Sequence, residues 1–228
     1  MKKLLFTVLI LFTLSMSLSA VDFTIGPKAT FGDYSYRGDD WKTMKNNYDI
    51  KDEFSPSFSG GVFFITHFSP LFSIQVDGLY SYQTMRNEYT SISEWEQYNF
   101  SSIGIPIYAR FDFQAGSVNL FLLAGPRFDI LFDKYTYKDS LGNTGSDSLS
   151  DNDFNSFMVG ISLGGGVSFT AGPGKMEVGV VYNSAFTKTD PDYEIFGNGF
   201  ELQLGYGFSL SGNNNTNTSS GSGKSNSW

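Results

Sequence analysis

Chemistry at neutral pH needs a nucleophile, a base or a metal ligand, and this chain offers few. His67 is the only histidine among 228 residues, and cysteine is absent. A thiolate nucleophile, a thiolate metal site and a disulfide framework are therefore excluded. His67 is of the type that serves as a base or a metal ligand. It stands beside Ser69-Pro70, a turn signal, so a rim residue next to a short turn is the simpler reading. Gly160-Ile161-Ser162-Leu163-Gly164 matches G-x-S-x-G by letter, but it falls inside the alternating strand segment 156–170 and not at the strand-to-helix turn that makes a serine hydrolase's nucleophile elbow. Asp147, Asp151 and Asp153 offer oxygen ligands of the kind calcium takes. Their spacing does not match an EF-hand loop and no closing Glu follows, which favours a solvated acidic loop. No cofactor and no enzymatic activity are expected.

A second set of charges is distributed rather than clustered. Lys28, Asp77, Arg110, Arg127, Asp129, Glu177 and Glu201 each fall among small or polar residues that alternate with apolar ones. Such a set could carry protons or ions, or it could form a structural network of ion pairs and water. Which elements hold these charges decides between the two, and the alternation itself names the element. Period-two patterning marks a strand with one apolar face. The last segment is the clearest: Phe200, Leu202, Leu204, Tyr206, Phe208 and Leu210 share one face, and Glu201, Gln203, Gly205, Gly207 and Ser209 the other.

Seven further segments fit the pattern, at 21–33, 57–67, 72–83, 101–113, 118–131, 156–170 and 175–184. In 57–67 the run Val62-Phe63-Phe64-Ile65 leaves the facing ambiguous. Tight turns are expected at Ser69-Pro70, Gln114–Ser117 and Ala171–Gly174. The other connections, near 34–56, 84–98, 132–153 and 185–197, are long and polar. They carry Tyr36, Trp41, Tyr48, Tyr89, Trp95 and Tyr98. Aromatics there either anchor a ligand or partner protein or form a girdle at a lipid–water boundary.

Composition narrows the class. Charged residues make up 17% of the chain, against about 25% in an average soluble domain. The formal net charge is 15 − 23 = −8, which argues against nucleic acid as a partner, since phosphate binding needs a basic face. Lys2, Lys3, an apolar stretch from Leu4 to Met16 and Ser17–Ala20 read as a secretory signal over 1–20. The Asn/Ser/Thr/Gly-rich stretch 211–228 reads as a disordered polar tail. Between them, 21–210 forms one domain.

Eight strands of about ten residues, tilted in a closed sheet, reach about 25 Å, the height of an outer-membrane apolar band. Short turns on one rim and long loops on the other complete the pattern. The expected fold is all-β: an eight-stranded antiparallel, up-and-down transmembrane β-barrel with both termini periplasmic. A soluble lipocalin-like barrel would invert the faces, but the polar face here is too rich in Gly, Ser and fixed charge to be a solvated coat.

The chain resembles the bacterial outer membrane protein beta-barrel domain family, small eight-stranded barrels of the OmpX, OmpA and PorT-like kind. The resemblance rests on Ile25-Gly26-Pro27-Lys28-Ala29, Phe72–Asp77, Ile105-Pro106-Ile107, Leu122–Pro126 and Gly164-Gly165-Gly166-Val167. It implies a monomer in outer-membrane lipid, inserted by the barrel assembly machinery, with no catalytic signature. The expected role is structural or surface interaction through four long acidic loops, which could meet an extracellular ligand or protein. The alternatives are a small pore or ligand conduit, and a lipid-modifying enzyme, for which His67 is at the wrong rim. Charges inside so narrow a barrel must pair. Lys28 with Glu201, where the first and last strands meet, and Asp77 with Arg110 are the expected pairs.

Overall fold

The computed structural model describes residues 22–90, 94–149 and 155–210. The signal and tail segments at 1–20 and 211–228 lie outside the described residues, as do Asp151 and Asp153. The elements run β1 (Asp22–Arg37), α1 (Asp39–Tyr48), β2 (Ile50–Asp52), β3 (Pro56–His67), β4 (Phe72–Tyr89), β5 (Glu94–Ala115), β6 (Val118–Leu131), β7 (Lys134–Asp139), β8 (Thr144–Ser148), β9 (Phe157–Ala171), β10 (Gly174–Ala185) and β11 (Phe196–Ser209). Each long strand pairs antiparallel with its neighbours in the ring β1-β3-β4-β5-β6-β9-β10-β11, and β11 returns to β1. Closure leaves the eight long strands of the ring without a free edge, which is what a sheet spanning lipid requires. Among the described residues no helix is long and apolar enough to cross a membrane.

Alternation sets the two faces. Phe31, Val62, Tyr80, Leu122, Leu163, Val180, Leu202 and Leu204 are exposed on the outside. Phe23 stacks on Phe64 and Phe72 packs tilted against Phe111 near the short-turn rim, and Phe31 with Phe58 and Tyr182 with Phe200 pack tilted near the long-loop rim. These are the two aromatic girdles of a membrane barrel. On β3 the ambiguous run resolves with Val62 and Phe64 outward and Phe63 and Ile65 fully buried. Phe63 is accommodated by glycine across the lumen: a Cβ on Gly205 or on Gly207 would come within 3.1 Å of its ring. Phe121 is seated the same way, since a Cβ on Gly166 would lie 2.7 Å from its Cζ and one on Gly179 3.2 Å.

Two rims differ as expected. β5–β6 and β9–β10 turn tightly through Gly116 and Gly172, whose φ of 65° and 61° suits glycine. In the β3–β4 turn, the Ser69 hydroxyl accepts from the backbone N–H of Phe72 at 2.9 Å. The opposite connections are more ordered than long polar loops. Residues 84–89 and 94–98 continue β4 and β5 as a paired ribbon, and β7 and β8 form a hairpin joined to β5. α1 and the 186–195 segment complete a cap, with the Glu194 backbone N–H donating to Asp40 at 2.6 Å.

Candidate functional site

All seven of the sequence-selected charges project into the lumen, yet they do not pair as expected. Lys28 Nζ donates to Asp77 Oδ2 at 2.7 Å, with side chains 3% and 0% exposed. Glu201 instead accepts from Arg127 Nη1 at 3.3 Å. The register explains this correction: Lys28 faces Gly205, and Glu201 faces Gly32. Counting from strand ends ignored the stagger that closure imposes. It displaced the pair by four residues, about 13 Å at 3.3 Å per residue. Asp77 and Arg110 are likewise not a direct pair.

The charges form two groups instead. Arg110 donates to both oxygens of Asp112 from Nε, to Gln75 Oε1 at 2.9 Å and to Glu177 Oε2 at 3.0 Å. Gln75 Nε2 donates to Asp77 Oδ1 at 2.8 Å, and Lys28 also reaches Gln203 Oε1 at 3.3 Å. An unbroken hydrogen-bonded chain thus links β5, β10, β4, β1 and β11. Nearer the long-loop rim, Arg127 Nε donates to both oxygens of Asp129 at 2.9 Å. Gln75, Gln203 and Asp112 were visible on the polar faces, but the two amides carry no charge to mark them. Arg110 also lies 4.3 Å from the Phe121 ring centroid. Between Lys28, Gln75, Phe121, Leu123 and Gln203 no space admits a water.

His67 sits at the short-turn rim, in the wall of a cavity of about 870 Å³. Its Nε2 meets Thr24 Oγ1 at 3.0 Å and its Nδ1 meets Ser73 Oγ at 2.9 Å. Ser73 is 1% exposed, and hydroxyls rather than a carboxylate occupy both ring nitrogens. That is not the arrangement that orients a catalytic base. Among the described residues no group of three potential metal ligands comes together.

The cap holds a further cavity, of about 340 Å³. β1 contributes Tyr36, α1 Trp41 and Met44, β4 Met85 and Tyr89, β5 Glu96 and Tyr98, and the β10–β11 segment Thr189, Asp190 and Ile195. Of the six loop aromatics noted in the sequence, Tyr36, Trp41, Tyr89 and Tyr98 line it. Tyr48 is 58% exposed and Trp95 turns to the opposite face of β5, beneath Arg86 at 4.5 Å. Tyr89 and Tyr98 both donate to Glu96 Oε2, at 3.2 and 2.9 Å. Burial and the adjacent carboxylate push the Tyr89 phenol up to about 12 and raise that of Tyr98 as well. Glu96 escaped notice because 94–98 read as loop; as a strand, its alternation turns Glu96 and Tyr98 to one side.

A closed antiparallel ring of eight strands, apolar outside and packed with charge within, defines an integral outer-membrane β-barrel. The chain belongs to the outer membrane protein beta-barrel domain family, whose model matches residues 7–191. Comparison with curated protein sequences finds no match. Among solved structures, the outer membrane protein OprG from Pseudomonas aeruginosa is similar with a TM-score of 0.50 and 11% identity, covering 84% of this chain and 96% of that one. Neisserial surface protein A gives 0.45 and 13%, covering 81% and 96%. Ail, the attachment invasion locus protein of Yersinia pestis, gives 0.41 and 14%, covering 81% and 98%. At such identities the likeness concerns the fold alone.

Proposed function

We propose that the protein is a monomeric surface-binding protein of the outer membrane, neither a channel nor an enzyme, and that its cap takes a small ligand. In this reading the long-loop rim faces the exterior and both chain ends lie on the periplasmic side. The lumen charges serve as a structural plug. The observation that carries the reading is the aromatic-walled cavity of about 340 Å³ built on the strand extensions. Its volume lies in the range of ligand pockets, about 300–1,000 Å³, and mostly apolar walls with a few placed polar groups are their usual lining. Strands rather than free loops hold most of its walls, which favours a site formed before the ligand arrives. A conduit is disfavoured by the filled middle of the lumen. The test is saturation-transfer NMR on the refolded barrel with a mixture of neutral, anionic and cationic small organic compounds. Binding that disappears in Met44→Trp and Ile195→Trp, which fill the cavity, supports the reading. Binding unchanged in both variants, or no binding of any compound to a folded barrel, overturns it.

A further inference from the structure

The charge pattern of the cap cavity selects among ligands, and this selection rests on the cap being a binding site. Among the described residues, Glu96 and Asp190 line the cavity, whereas no lysine, arginine or histidine does. The cations nearest in sequence are kept out by strand alternation. Arg86 lies between Met85 and Asn87, both of which line the cavity, so its side chain emerges on the other face and stacks over Trp95. Lys138 Nζ lies over the same Trp95 ring at 5.9 Å. Inside, Tyr36 packs edge-on to Trp41 at 5.5 Å between centroids, and Tyr98 lies 6.0 Å from Tyr135. Both phenols bonded to Glu96 donate to the same oxygen, Oε2. Oε1 has no hydrogen-bond partner among the described residues.

Three ligand classes meet these walls differently. An anion finds two carboxylates and no counter-charge. A neutral apolar molecule covers the Glu96 carboxylate without offering it a partner, which is costly. An organic cation meets the carboxylate and the negative faces of the rings together. A bare metal ion needs several converging oxygen ligands, and the described residues gather no such group.

We propose that the cavity binds a small organic cation of the alkylated-ammonium type, seated against the Trp41 and tyrosine rings with Glu96 as its counter-ion. The same chemistry occurs in a free solute and in a lipid headgroup. Calorimetry on the full chain, refolded in a maltoside detergent, compares choline, its uncharged carbon isostere 3,3-dimethyl-1-butanol and the like-shaped anion 3,3-dimethylbutanoate. Choline should bind about tenfold or more tightly than the isostere, and the anion should not bind. Glu96→Gln should remove most of that preference. Trp41→Leu should weaken choline about tenfold without adding or removing charge. Both variants must keep the gel mobility shift of a folded barrel. Vesicles displaying phosphocholine headgroups separate the sources: capture of the barrel, competed by choline, assigns a headgroup, and choline binding without capture assigns a free solute. Either result supports the ammonium chemistry. Equal binding of choline and the isostere, insensitive to Glu96→Gln, overturns the cation while leaving the cap as a binding site. If none of the three binds but other compounds do in a Met44-dependent way, the cation again falls alone. If no compound binds at all, both readings fall.

Discussion

Replacing Asp77 by asparagine would leave the Lys28 ammonium buried without its counter-charge. The exchange keeps the side-chain shape and an oxygen for the Gln75 amide, so charge is the main change. Lys28 would retain neutral contacts, Gln203 Oε1 at 3.3 Å and the Phe63 ring at 5.4 Å from its centroid. The pair is 2.7 Å long and both side chains are shielded, at 3% and 0% exposure, so solvent screening does little to reduce the loss. Removing one partner of a buried pair costs about 3–5 kcal/mol. Lys28→Met should cost a similar amount by isolating Asp77. The double variant Lys28→Met/Asp77→Asn removes both charges and should be less destabilised than the sum of the singles by about 2–3 kcal/mol. The companion double, Lys28→Met/Glu201→Gln, should be additive within about 0.5 kcal/mol, because Glu201 bonds Arg127 and the two share no partner. Urea titration of barrels folded into vesicles, followed by tryptophan fluorescence, measures these four variants and the Glu201→Gln single that completes the second cycle. Additivity in the first cycle would refute the Lys28–Asp77 pair, and clear coupling in the second would refute the register at the β1–β11 seam.

Other outcomes follow from the same structure. Leu204 is 50% exposed on the outer face of β11, so Leu204→Arg should destabilise the folded barrel in vesicles by about 2–4 kcal/mol if the site lies near the bilayer midplane; wild-type stability would show that the faces are reversed. A closed ladder should resist dodecyl sulfate until boiled, and identical migration of heated and unheated samples would count against closure. The Tyr89 phenol titrates near 12 rather than near its ordinary value of about 10. The unfolded chain therefore loses that proton first, and its contribution to stability is complete below pH about 10 and lost as the pH rises to about 12. In a tyrosinate absorbance titration Glu96→Gln should lower this late step while burial keeps it above 10; an unmoved step would remove Glu96 from the cap.

How much of this was legible depended on whether a residue's role was local. Facing along β9, β10 and β11 follows from two-residue alternation, and the boundaries of 118–131 match β6. The run Val62–Ile65 could not be resolved locally, because what admits Phe63 to the lumen is glycine at 205 and 207 on a strand distant in sequence. The seam pairing failed for a related reason: stagger is a property of the whole ring and leaves no mark on either strand. Residues 94–98 read as loop in the sequence because Glu94, Glu96 and Gln97 make the strand extension polar. Outside the membrane a β-ribbon has no apolar face to advertise it, and Glu96 is joined to its two phenols by the pairing of β4 with β5 beyond the girdle, which no local pattern encodes.

The most direct test is a crystal structure of the refolded full chain soaked with benzyltrimethylammonium, a cation with enough electrons to be recognised. The account predicts density for it inside the cap, with its ammonium carbons against Trp41 and Tyr98 and beside the Glu96 carboxylate. A closed eight-stranded barrel with the ion bound only at the short-turn cavity near His67, or with the cap cavity filled by its own side chains, would contradict it.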